Sequence, residues 1–305
     1  MPTKTMPTKK PTTKARRRTT KAAQSSTSTQ GENDFTRAQL NSLGLIEHPF
    51  RISADPRFLY LTDAHQWILQ HLEKSIDWRE GLSVIEGPIG SGKTILARRL
   101  FEIGLQKSKT ELVYIHTASY KSNLGALRDI AGNFRLRPRQ AKVDQLKDFE
   151  ALLLDKRSQE INPVVIIDDA QFISAEGITA FQDLLNFDVS SKLLQIVLFG
   201  QSEVHQTFSK VPSLLDRVVF WHKLPLLTNQ EVLNMISFRV SVAGRKTPMF
   251  SERALEMLLA ISTGVPRPII IVCNEAMKVI LDLGRTEIDA PDMQRAIDIY
   301  NQRVL

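Results

Sequence analysis

Residues Gly87 to Thr94 read Gly-Pro-Ile-Gly-Ser-Gly-Lys-Thr, a match to the pattern G-x-x-x-x-G-K-[ST]. This window constrains the fold more than any other, because the pattern cradles an anion only when a strand leads into it and a helix leaves it. Both neighbours are present. Leu82-Ser83-Val84-Ile85-Glu86 is a short apolar stretch that reads as a buried strand, and Ile95 to Phe101 carries apolar positions at helical spacing. Strand, Gly-rich turn and helix N-terminus together point backbone N–H groups and the positive end of a helix dipole at a phosphate. Gly87, Pro88, Ile89, Gly90, Ser91 and Gly92 would form the cradle, Lys93 would reach the outer phosphates, and the Thr94 hydroxyl would sit on Mg²⁺. The expected ligands are ATP and its magnesium ion.

The second signal is Val164-Val165-Ile166-Ile167-Asp168-Asp169, about 70 residues downstream. An apolar strand ending in two carboxylates places Asp168 beside the phosphate loop, where it can orient Mg²⁺ or its waters. Asp169, one residue on, is placed to polarise an attacking water. A solvated strand end would read the same in isolation; behind a phosphate loop the catalytic reading is the expectation.

Around these motifs strands alternate with helices. Strands are expected at Leu82–Glu86, Leu112–His116, Pro163–Asp168, Leu193–Phe199 and Val218–Trp221. Helices are expected at Thr62–Trp78, Thr94–Leu105, Ser122–Ala131, Val143–Lys156 and Ala175–Asn186. This alternation predicts an α/β fold, a parallel P-loop sheet flanked by helices. From Thr228 the pattern is helical only. Thr228 and Glu231 have capping-box spacing, Ser251 can cap a second helix, Pro268 fits the first turn of a third, and Asp289 to Leu305 forms the last. The expected division is a tail over 1–33, an ATPase α/β domain over 34–226 and a small helical lid domain over 227–305.

Composition bounds the setting. A hydrophobic share of 42% is that of an ordinary globular chain. The lone cysteine, Cys273, lies in an apolar run, cannot form an internal disulfide and reads as a core thiol. No apolar stretch approaches the roughly 20 residues needed to cross a bilayer, and the expectation is a cytoplasmic protein with no membrane partner. The net charge of +7 sits in the tail: up to Gly31 there are eight basic residues, Arg16, Arg17 and Arg18 among them, and no acidic one. Such a Pro-, Thr- and Ser-rich segment cannot bury enough apolar area to order itself. It reads as an arm for nucleic-acid phosphates, with a solubilising or targeting extension as the alternative.

The phosphate loop, Val-Val-Ile-Ile-Asp-Asp-Ala-Gln, Phe199-Gly200-Gln201, Leu215-Asp216-Arg217 and Gly264-Val265-Pro266-Arg267 together resemble an AAA+ ATPase. More narrowly they resemble the ExeA-type branch, whose relatives include the transposition regulators TnsC and MuB. His48-Pro49-Phe50 through Asp55 to Leu61 is similar to that branch's lead-in to the fold, and the likeness covers about residues 43 to 300. The resemblance implies that Gln201 contacts the γ-phosphate or the attacking water. It implies that Arg217 is an arginine finger offered to a neighbouring subunit and that Arg267 links the lid to nucleotide state. Relatives usually carry glutamate at Asp169; the aspartate is shorter by about 1.5 Å, and misplacement of that order costs on the order of 100-fold in rate. Slow hydrolysis, suited to a switch, is therefore expected. In the transposition relatives the side bearing Lys121, Arg135, Arg137, Arg139 and Lys142 faces DNA, which marks these residues as candidate phosphate contacts; a solvated interhelical loop is the plainer alternative.

The resemblance thus implies an ATPase that oligomerises as a ring or helical filament on double-stranded DNA and acts with a transposase or target-selection protein. A secretion or envelope-assembly ATPase closer to ExeA itself is the alternative, for which a transmembrane helix and a cell-wall-binding extension are implied. A nucleotide-gated binding module with negligible turnover is the third reading, resting on Asp169 alone.

Overall fold

Among the described residues five strands, β1 (Leu82–Glu86), β2 (Thr110–Ile115), β3 (Asn162–Ile167), β4 (Gln195–Gly200) and β5 (Val218–Lys223), form one sheet. Every pairing is parallel, in the order β2-β3-β4-β1-β5. The computed structural model describes residues 35–304; the tail arginines Arg16, Arg17 and Arg18 lie outside them. The described residues from Thr36 onward form one compact unit.

β3 and β4 are buried along their whole length, as expected of strands covered on both faces. Alternation sends their side chains to two separate cores. Val164, Ile166, Val197 and Phe199 pack on one face with Ile68, Leu72, Leu96 and Leu100. Val165, Ile167, Ile196 and Leu198 pack on the other with Leu127, Ile130, Phe149 and Phe181. A one-residue slip of either strand would exchange the two sets, so register is strongly specified.

Helices α1 (Arg37–Ser42), α2 (Asp63–Asp77), α3 (Lys93–Leu105), α4 (Asn123–Asn133), α5 (Lys142–Ser158), α6 (Ala175–Leu184), α7 (Glu203–Ser209) and α8 (Pro212–Leu215) accompany the sheet. α9 (Asn229–Val242), α10 (Glu252–Ile261), α11 (Pro266–Asp282) and α12 (Ala290–Val304) follow it. The Thr228–Glu231 capping box forms in full, and Ser251 accepts from the Ala254 N–H. Boundaries differ from expectation by about two residues. β2 starts at Thr110 and stops before His116, and β4 starts at Gln195 and runs through Gly200, because ladder partners rather than apolar runs set where a strand begins. The short helices α1, α7 and α8 were not anticipated; they are too short for a periodic signal. Cys273 is fully buried. Among the described residues no helix is long and apolar enough to cross a membrane.

Candidate nucleotide-binding site

β1 ends at Glu86, and its ladder continues one step as the Gly87 N–H donates to Gly200 O at 3.1 Å. The chain then turns through the phosphate loop. Gly90 and Gly92 adopt φ of 80° and 99°, a region only glycine enters without strain, and α3 starts at Lys93. The loop lines a cavity of about 440 Å³, within the range of small-ligand sites. Its wall includes Ile89, Gly90, Ser91, Gly92, Lys93 and Thr94 from the loop, with Asp169, Gln201 and Arg267. Gly87 and Pro88 are not in that wall. Their carbonyls instead accept from Lys93 Nζ, each at 2.8 Å.

Two features of this loop suit an anion. The Ser91 hydroxyl is buried and has no hydrogen-bond partner among the described residues, leaving a donor for a phosphate oxygen. The Lys93 ammonium is only 7% exposed. Burial pulls its pKa down, Asp168 and Asp169 raise it again, and Arg267 lowers it further. A phosphate would give that charge the partner that burial demands.

Asp168 follows β3 directly, its N–H donating to Ile115 O at 2.9 Å. Burial pushes its carboxyl above the ordinary value, opposed by a hydrogen bond from Thr94 and by the Asp169 N–H. The Tyr114 hydroxyl also reaches Asp168 Oδ2, at 3.4 Å. Thr94 and Asp168 thus present two adjacent oxygens of the hard type magnesium prefers. Among the described residues no group of three or more metal-ligating side chains gathers; magnesium carried with a nucleotide needs none, because phosphates and waters complete its shell. The site residues fit the ion.

The far wall is built by Arg51, Ile52, Phe58, Leu59, Tyr60 and His65 together with Leu227, Met235 and Ile270. The segment 49–58 is fastened from behind by Arg239 of α9, which is 5% exposed. Its Nε donates to Pro49 O (2.8 Å), Nη1 to Phe58 O (3.0 Å) and Nη2 to Arg51 O (3.1 Å), and its guanidinium lies over the Phe58 ring. Burial lowers its pKa to about 10, which leaves it charged at neutral pH. His48 Nδ1 accepts from the Phe50 N–H, so Nε2 carries the proton and donates to Asn274 Oδ1 of α11 at 3.0 Å. Arg98 of α3 holds Ala54 O at 2.9 Å. Sequence reasoning quoted His48-Pro49-Phe50 but missed Arg239 and Asn274, which belong to no motif.

Arg217 lies outside the cavity wall, just before β5, where its charge helps lower the pKa of Asp188. Lys121, Arg135, Arg137, Arg139 and Lys142 are exposed. Two of them are engaged within the chain: Arg139 Nε bonds Asp148 Oδ2 at 2.6 Å, and Lys142, the first residue of α5, pairs with Asp183 at 2.7 Å.

A phosphate loop after β1, an acidic pair after β3 and the strand order β2-β3-β4-β1-β5 define the AAA+ P-loop fold. Residues 76–208 match the family described as AAA domain. Over 239 residues the chain is 32% identical to general secretion pathway protein A of Aeromonas hydrophila, covering 77% of this chain and 43% of that one. The chain therefore spans under half the length of that relative. Among solved structures it is similar to the Aeropyrum pernix ORC2 protein in its ADPNP–ADP complexes, with a TM-score of 0.61, 16% identity and coverage of 82% and 71%. It is also similar to the Aeropyrum pernix ORC1 protein in complex with DNA, with a TM-score of 0.55, 13% identity and coverage of 79% and 66%. At such identities the likeness is one of fold.

Proposed function

We propose that the chain binds and hydrolyses ATP and oligomerises on double-stranded DNA as a nucleotide-controlled switch, with 34–226 as ATPase domain and 227–305 as lid. The observation that carries this reading is one cavity on which Lys93, Thr94, Asp169, Gln201 and Arg267 converge. Lys93 and Arg267 bring positive charge to the phosphates, and Ser91 offers its unpaired hydroxyl. Thr94 and Asp168 would hold the magnesium ion, which would neutralise charge on the phosphate oxygens. Asp169 orients the attacking water and takes its proton; the water oxygen bonds to the γ-phosphorus as the bond to the β-phosphate's bridging oxygen breaks. Gln201 orients the same group.

Arg217 stands outside the wall of its own site; on this reading, as the resemblance implies, it is the finger offered to a neighbouring copy, and turnover depends on assembly. Likeness in fold to a DNA-bound ORC1, with the basic tail and the exposed 121–142 cluster, supports DNA as the surface of assembly; a transposase or target-selection protein as the partner rests on the resemblance to the transposition regulators alone. The 32% identity to a secretion protein favours a second reading, a secretion or envelope-assembly ATPase.

The test compares two variants. Lys93→Ala is expected to weaken nucleotide binding by about 1,000-fold, about 4 kcal/mol. Arg217→Ala is expected to bind nucleotide like the parent yet lose the turnover that rises with protein concentration. Equal loss of monomer affinity in both would defeat the interface assignment. Electron microscopy with duplex DNA and a non-hydrolysable ATP analogue separates the settings: assemblies that form with nucleotide but ignore DNA support the secretion reading.

A further inference from the structure

Gln171 sits in the 3₁₀ turn Ala170–Phe172 that follows the acidic pair, and its side chain spans the ends of β3 and β4. Nε2 donates to Asp169 Oδ1 at 2.9 Å, and Oε1 accepts from the Gln201 backbone N–H at 3.1 Å. These partners fix the amide's orientation. Turned over, it would set an oxygen against a carboxylate and an NH₂ against an N–H. The crossing is possible because β4 ends in Gly200, where a Cβ would run into Val204 and touch the Gln171 backbone nitrogen.

Asp169 is constrained from its other side as well. Its backbone is left-handed, with φ 53° and ψ 38°, a region aspartate tolerates better than most residues but still at a cost. Its N–H donates to Asp168 Oδ1 at 3.0 Å. With the backbone pinned and one carboxylate oxygen held by Gln171, the carboxylate has a fixed direction and Oδ2 is left to meet a water.

We infer that Gln171 is a positioning residue for hydrolysis, tying the carboxylate that takes the water's proton to the backbone of Gln201. The inference rests on the ATPase reading above. Both strand ends are then aimed together, and a shift at either is felt at the other. The side-chain amide supplies both a donor and an acceptor at this reach. A carboxylate there repels Asp169, and a thioether of similar length bonds neither partner.

Gln171→Met and Gln171→Glu test this through two separate readouts, single-turnover or steady-state kcat and calorimetric Kd for a non-hydrolysable ATP analogue. Both variants are expected to lose about 10- to 100-fold in kcat with Kd within about twofold of the parent, Gln171→Glu falling at least as far despite its matching size. A kcat within twofold of the parent for either variant overturns the inference, as does a Kd that weakens in step with kcat. A parent chain that binds nucleotide but never turns it over removes the ATPase reading, and this inference with it. A parent that turns over beside unaffected variants removes the inference alone.

Discussion

The two walls of the nucleotide cavity are made in opposite ways. The phosphate wall comes from one stretch, Ile89 to Thr94, with a few residues from neighbouring strand ends, and much of what it offers is backbone. The opposite wall joins residues before the sheet, Arg51 to His65, to residues after it, Leu227, Met235 and Ile270. It holds because Arg239 grips three carbonyls and His48 bonds Asn274. A triphosphate is a highly charged chain that few local arrangements can hold. The opposite wall is assembled from side chains of distant segments, so it is fixed by long-range packing rather than by a motif.

Arg239→Met is the severest test of this contrast. It strands the buried carbonyls of Pro49, Arg51 and Phe58, and should lower stability by about 3 kcal/mol in urea titration while phosphate binding by the loop survives. A loss below about 1 kcal/mol would mean that other contacts fasten the segment. Next in size is Asp169→Glu on the phosphate side. Restoring the longer arm is expected to raise turnover by about tenfold, about 1.4 kcal/mol in the barrier. An unchanged or lower rate would show the site fitted to the shorter carboxylate and its Gln171 partner.

The smallest effect has the opposite sign for stability. Burial holds the Asp168 carboxyl above its ordinary pKa, so its ionised form destabilises the nucleotide-free fold. That cost is present above the raised value and fades as pH falls through it. Asp168→Asn should therefore stabilise the nucleotide-free chain by about 1 kcal/mol near neutrality, with magnesium-dependent nucleotide binding lost. Melting curves across pH should show the advantage shrinking on acidification; an advantage that grows would reverse the assignment.

Legibility in the sequence followed the same divide. The phosphate loop, the Val164–Asp169 motif and the caps at Thr228 and Ser251 are local patterns, and each stands where its spacing places it. The parallel sheet followed from alternation. Arg239 could not be read because a lone arginine in a helix usually faces water, and only the folded chain brings Pro49, Arg51 and Phe58 to it. Gln171 was visible within its motif but silent about its role, since its two partners follow the ends of different strands. Arg139 and Lys142 looked like free cations because Asp148 and Asp183 reach them only in three dimensions.

Arg267, which opens α11 beside Pro266, is set against the phosphate loop itself: its N–H bonds Gly90 O at 3.2 Å, and its Cβ lies 2.6 Å from where a Cβ of Gly90 would stand. The glycine is what lets the start of that helix lie so close to the loop. A side chain there would have to push the first turn of the 17-residue helix off the loop, so a single methyl group added at Gly90 would reset the seating of the whole element.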